Sequence, residues 1–299
     1  MNRTDPSSVA ASARLARRAA FVLLPVVTLL IGCAATEIRP NPLLIPRPLP
    51  TTFDDKDWGA ILRDHVKSGL VDYELLARNR EPLDRYYALI SAMGPATAAD
   101  QFPTKYHRIA YTINAYNALV LLAALEDPSR KTIYALDQPP LETAIRFRLD
   151  GKPVRLFDLE KALLAESEGD VRVLFALSGA ARGTPALHFE PYRPASFERQ
   201  LQQAAADALD NPYLLQIDHE RRCILVWQEI LSHREAFMTF WQQRRRTRAP
   251  SLLSVLLDLA SPQQRRALNG AIGYEIRPIA FDRRLNRWPD PAAAPDRTP

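Results

Sequence analysis

Cysteine and glycine are scarce in this chain of 299 residues: there are two cysteines, Cys33 and Cys223, and 10 glycines against 25 prolines. If Cys33 is modified, as argued below, no internal disulfide can form. The glycines make no Gly-rich phosphate cradle, so a nucleotide fingerprint is absent. The five histidines include none at His-Glu-x-x-His spacing, and His65, His107, His219 and His233 are not spaced as ligands, so neither a metal nor another cofactor is expected. The apolar run near the N-terminus, residues 19–31, is about 13 residues long, short of the roughly 20 that span a bilayer. Excess charge is also lacking. The formal net charge of +5 falls to +2 without residues 1–32, where Arg3, Arg14, Arg17 and Arg18 outnumber Asp5. That balance argues against a nucleic-acid partner.

What is present begins with an address. Arg14, Arg17 and Arg18 precede the apolar run, which ends in Leu30-Ile-Gly-Cys33. A positive region, a short apolar region and a small residue before the cut are the parts of a secretory signal over 1–32. The terminal cysteine makes the run resemble the lipobox of bacterial lipoproteins. That resemblance implies lipidation at Cys33, attachment to the membrane facing the periplasm and, with Ala34 in place of an aspartate, the outer membrane. Residues 33–50 contain prolines at 40, 42, 46, 48 and 50, which suit a semi-rigid tether. Packing of Leu43, Leu44 and Ile45 as a strap along the domain is the alternative.

Residues 51–288 read as one domain, followed by a Pro- and Ala-rich tail, 289–299, expected to be disordered. Its centre is residues 111–119, Tyr-Thr-Ile-Asn-Ala-Tyr-Asn-Ala-Leu, within an apolar helix over 106–125. Ala110, Ile113, Asn117, Val120, Leu121 and Ala124 share one face, and Asn114 borders it. A buried amide without partners costs roughly 1–3 kcal/mol, so both carboxamides should either tie down neighbouring loops or line a polar pocket. Helices are also expected over 53–66, 81–93, 157–165, 197–209 and 229–244, the last with Ile230, Phe237 and Trp241 inward, then two short ones. Residues 69–73 form a turn into an extended piece, and 146–156 a hairpin turning at Asp150-Gly151. Residues 171–177 read as a buried strand that leads into the small-residue loop 178–185. Residues 213–217 and 223–227 read as paired strands, with 274–281 closing as another. The expected class is α+β, with helices packed on a small, largely antiparallel sheet.

Several of these blocks, as they stand here, resemble the family called domain of unknown function 547, over about 53–286. They are Gly69-Leu-Val-Asp-Tyr73, Ile113-Asn-Ala-Tyr-Asn117, Leu156-Phe-Asp-Leu-Glu160, Val171-Arg-Val-Leu-Phe-Ala-Leu177, Gly183-Thr-Pro185, residues 230–237 and Phe281-Asp-Arg-Arg-Leu-Asn286. The resemblance implies a single compact domain, often secreted or lipid-anchored, and no agreed reaction. Members usually carry a histidine after the glutamate matched by Glu160, where this chain has Lys161. They often carry another at Leu174, and many have cysteine at Gly179 or Thr184. A cysteine, a histidine and a carboxylate or amide make a thiol-nucleophile site of the cysteine-protease-like kind; this chain lacks the first two at those places.

The matched positions leave Asn114, Asn117, Glu160, Asp282 and Asn286 as a candidate polar pocket with no assigned catalytic residue. Cys223 reads as an inert strand residue. Ser178 and His188 lack the nucleophile elbow of a hydrolase. Arg244-Arg-Arg-Thr-Arg248 ends a helix where cations suit the dipole, or else meets anionic lipid or phosphate. Three functions follow. The first is a lipid-anchored, non-catalytic domain that binds or scaffolds an envelope protein or polysaccharide. The second is a hydrolase or transferase of cysteine-protease-like type. The third is a phosphate or nucleic-acid binder through the arginine patch.

Overall fold

A computed structural model describes residues 36–126, 141–246 and 250–289. The signal sequence with Cys33 and all of the tail but Pro289 lie outside the described residues. Part of the expected tether does not stand off the domain. Strand β1 (Thr36–Glu37) runs parallel to residues 145–146, and the Ile38 carbonyl accepts a 2.5 Å hydrogen bond from the Tyr87 hydroxyl. Of the three residues that could pack as a strap, Leu43 is exposed while Leu44 and Ile45 are half-buried.

Helix α1 (Lys56–His65) buries Trp58, Ile61 and Leu62. Strands β2 (Val66–Lys67) and β3 (Leu70–Val71) form a two-residue hairpin turning through Ser68 and Gly69, both at positive φ, the geometry that matches strand twist. The extended piece then ends sooner than its sequence suggests. The Asp72 carboxylate accepts from Leu75 N, capping a short helix α2 (Tyr73–Arg78). Helix α3 (Glu81–Ala92) follows, and then α4 (Lys105–Leu125), with Thr104 as its cap. Among the described residues α4 alone has the length and apolarity to cross a membrane, but 89% of its apolar window is buried inside the fold. It is a core helix enclosed on nearly every side, which explains why two of its buried residues are amides with somewhere to point.

After α5 (Leu141–Ala144), strands β4 (Ile145–Leu149) and β5 (Lys152–Val154) form the expected hairpin, with Asp150 and Gly151 at positive φ. Its tip docks on the end of α3: Asp150 N and Gly151 N donate to the carbonyls of Ile90 and Ser91, while the Asp150 carboxylate accepts from Ala96 N and Thr97 N. Helix α6 (Leu156–Glu166) comes next.

Residues 171–176 are a 3-10 helix, not a strand. Its residues are buried on both sides. Val173 and Ala176 belong to the core around α4, and Val171, Leu174 and Phe175 to a second core. A short run buried all round carries no period that separates strand from helix. The Asp170 carboxylate decides the matter locally by accepting from Arg172 N. The Arg172 side chain, only 1% exposed, is then held by Asp170 and, at 2.8 and 2.9 Å, by Glu198.

Helix α7 (Phe197–Asp210) also joins the two cores, giving Phe197 and Leu201 to the first and Ala205 and Leu209 to the second. Strands β6 (Leu215–Asp218) and β7 (Cys223–Val226) pair antiparallel. The helix expected over 229–244 is two, α8 (Gln228–Ser232) and α9 (Arg234–Arg245). They break at His233, whose backbone leaves helical geometry while its ring contacts the Glu229 carbonyl at 3.1 Å. Helices α10 (Leu252–Leu259) and α11 (Pro262–Asn269) precede β8 (Glu275–Pro278), which lies parallel to β7. The class is α+β. In place of one sheet there are three small ones among the described residues, ordered β1-β4-β5, β2-β3 and β6-β7-β8.

The arginine patch is partly neutralised. Arg244 pairs with Glu198 and Arg245 with Asp258, leaving Arg246 as the left-handed cap of α9. Hydrogen bonding from Arg172, reinforced by Arg244, holds the Glu198 carboxyl down to about 2. A depressed carboxylate contributes its stability above its unfolded value and loses it as pH falls through the folded one. The stability difference between the wild type and Glu198→Gln should therefore be full above pH 4.5 and shrink as pH falls towards 2. Urea melts across that range check this; Glu198 is largely exposed, so solvent screening keeps the effect small.

Candidate functional site

The two amides of α4 act as spare peptide groups. The Asn114 amide donates to the Tyr192 carbonyl and accepts from Tyr192 N, both at 2.9 Å. The Asn117 amide donates to the Ala176 carbonyl and accepts from Ser178 N, again both at 2.9 Å. Both residues are 3% exposed. Gln200 on α7, fully buried and not singled out in the sequence, does the same to residues 191–196, accepting from Arg193 N and donating to the Pro191 carbonyl. Its signal was a glutamine on the apolar stripe of Phe197, Leu201 and Ala204.

These latches frame loop 178–189. Within it the Thr184 hydroxyl accepts from Gly179 N at 3.0 Å and donates to the Ala181 carbonyl at 2.8 Å. The C-terminal segment runs along its outer edge, with Arg182 N donating to the Arg284 carbonyl and Gly183 N to that of Asp282, both at 2.9 Å. A Cβ on Gly183 would lie 2.8 Å from Asp282 N and 2.7 Å from the Phe281 ring, so only glycine fits there. Asn286 ties three pieces together. Its side-chain oxygen accepts from the Tyr73 hydroxyl at 2.6 Å, its carbonyl from Val71 N, and its own N–H donates to Ala180.

No hydrogen bond joins the five sequence candidates into one network. Asn114 and Asn117 close two separate backbone segments, and Asn286 fixes the hairpin turn. Asp282 is bound by Arg284, whose hydrogen bonds hold its carboxyl below the usual range. Glu160 on α6 stands apart from them, half-buried, its carboxyl raised by burial and by Glu229 and Glu142 and opposed by His233. His233 Nδ1 lies 3.4 Å from a Glu229 carboxylate oxygen. Ser178 has no hydrogen bond to His188, and Cys223 is buried in β7. No group of three or more His, Cys, Asp or Glu among the described residues is arranged for a metal.

A cleft of about 500 Å³ opens between loop 178–189, the β2–β3 turn and the end of α7. One wall carries His188, whose ring stacks on Phe189 at 4.6 Å and leans on Tyr192 at 5.3 Å. The other carries Tyr213, whose hydroxyl accepts from Arg182 at 3.0 Å. Asp207, Asp210 and Asn211 stand at the rim. Tyr192 is 3% exposed, and its hydroxyl has no hydrogen-bond partner among the described residues; burial and then the nearby Asp207 raise its pKa. Sequence reading missed this cleft because four distant segments build it. A smaller cavity of about 400 Å³ lies on the other side of Tyr192, lined by Asn114, Tyr111 and Asp55.

Asn117→Ala should leave the Ala176 carbonyl and Ser178 N unpaired and cost roughly 2–3 kcal/mol. At about 2–4 °C per kcal/mol for a chain of this size, the melting temperature should fall by roughly 5–10 °C in calorimetry.

No curated protein and no solved structure matches the chain. The span from just before α4 to near the end of α7, residues 101–208, matches the family model described as "Protein of unknown function, DUF547".

Proposed function

We propose that this chain is a lipid-anchored, extracytoplasmic domain that binds a component of the cell envelope and carries out no reaction of its own. The observation that carries this reading is the state of loop 178–185. Gly179 and Thr184 stand where the family that this chain resembles is expected to carry cysteine, and the Thr184 hydroxyl is held by three backbone groups of its own loop. A nucleophile needs a base in reach and a third group to orient that base. The amides that would orient one are closed on backbone instead. The anchor rests on the lipobox-like run ending in Cys33, and an outer-membrane position on Ala34.

Two measurements test this. Metabolic labelling with a radioactive fatty acid should mark the full chain and not Cys33→Ser, which should leave the membrane fraction. The purified full chain in detergent should co-sediment with isolated envelope material without releasing soluble fragments from it. Unlabelled chain, absence of co-sedimentation, or steady fragment release would each defeat the corresponding part of the reading.

One observation favours a second reading, a hydrolase or transferase. The raised carboxyl of Glu160 beside Glu229 and His233 is the kind of perturbation that clusters at reactive sites. Under that reading Glu160→Gln abolishes any turnover found on envelope material while the melting temperature stays within a few degrees; under the binding reading there is no turnover to abolish.

A further inference from the structure

We propose, resting on the binding reading above, that the cleft beside loop 178–189 is a carbohydrate subsite that holds a sugar ring between its aromatic wall and the hydroxyl-binding rim of α7. The cavity is within the usual size of small-molecule sites, about 300–1,000 Å³, at about 500 Å³. Phe189 is 65% exposed although its neighbours Leu187 and Tyr192 are buried. A large aromatic ring left outside the core, stacked on His188 and bordering a cleft, is a platform for an apolar face. Pyranose rings present such a C–H face, with hydroxyls around the edge.

The rim supplies what those hydroxyls need. Asp210 and Asn211 stand three and four residues after Asp207 on the last turn of α7 and its cap, so each neighbours Asp207 on the helix surface. Each has protein partners that leave part of its capacity open. Gln203 takes one oxygen of Asp207, Ser261 one of Asp210, and Tyr213 N the oxygen of Asn211, whose amide NH₂ donates to nothing among the described residues. Carboxylates at a helix C-terminus oppose the helix dipole, so helix stability does not account for two of them there. The Tyr192 hydroxyl is an independent sign. Tyr192 as a residue is 97% buried and lines the cleft, and its hydroxyl lacks a protein partner among the described residues while still reaching solvent.

Other ligand classes fit less well. Arg182 would attract an anion, but its guanidinium is set on the Tyr213 ring and bonded to the Tyr213 hydroxyl, and the cleft lining also carries the carboxylates of Asp207 and Asp210. A purely apolar ligand would leave those carboxylates and the Tyr192 hydroxyl unmatched. A polyhydroxylated ring uses both the platform and the rim.

Titration calorimetry of the full chain in a detergent without sugar headgroups tests this, with chitotetraose and maltotetraose as probes. At least one should bind, with micromolar to millimolar affinity. Phe189→Ala and Asp207→Ala should each weaken that binding about tenfold or more, since a hydrogen bond to a charged group or a lost stacking surface is worth at least one such factor. Tyr192→Phe should weaken it as well, with the melting temperature unchanged in the two exposed variants. No heat from either probe at millimolar concentration, or binding untouched by Phe189→Ala and Asp207→Ala, would overturn the subsite. Envelope co-sedimentation of the same variants separates the two claims. If it persists while neither probe binds, the envelope-binding reading stands and the carbohydrate subsite falls; if co-sedimentation is itself absent, the binding reading falls first.

Discussion

The fold depends on a helix too deeply enclosed to be apolar throughout. Helix α4 is buried on nearly all sides, and wherever it meets irregular backbone that backbone has N–H and C=O groups that no sheet or helix will satisfy. Asn114 and Asn117 meet this need, each offering one donor and one acceptor in a plane, as a peptide would. Through them the helix holds the chain at 176–178 and at 192, and between those two points runs the loop that makes one wall of the cleft. A leucine at either place would pack as well and leave two buried backbone groups unpaired.

The same device recurs. Gln200 binds the stretch after the loop, and Asn286 binds the turn before α2, so four carboxamides do the joining that a larger sheet does in other folds. The three sheets here are small, and none could organise the molecule. The 3-10 helix 171–176 stands between the two cores with apolar side chains on both sides, anchored at its start by Asp170 and by the buried Arg172 with its two carboxylates. Charge and amide together fix the irregular middle of the chain, and the apolar cores on each side fix the regular parts.

The sequence disclosed those features whose cause is local. Asp150-Gly151 announces its turn because positive φ at two successive residues has few solutions. The length of α4 follows from its period, and the paired strands of β6 and β7 from their alternation and the polar residues between. Where the cause lies elsewhere in the chain the sequence is mute. Asn114 and Asn117 stand out as amides in an apolar stripe, but their partners are 78 and 59 residues away. Residues 171–176 match a strand because burial on both sides erases the period. The break at His233 comes from a side chain turning back on a carbonyl, with no glycine or proline to mark it. The cleft takes its walls from around 70, 182–192, 207–213 and 286, and no single stretch carries its signature.

The way Gly183 and Ala180 are paired with residues 282–286 has a consequence for the order of events during synthesis. Every helix among the described residues and both α4 latches lie before Gly270, yet the outer edge of loop 178–189 and the side of Val71 that faces away from β2 take their backbone partners from residues 282–288. The final segment supplies both at once, through Arg284, Asn286 and Trp288. The cleft is thus completed from the far end of the chain. Most of both apolar cores comes from residues made before 282, while this wall of the cleft takes its outer backbone partners from residues 282–288.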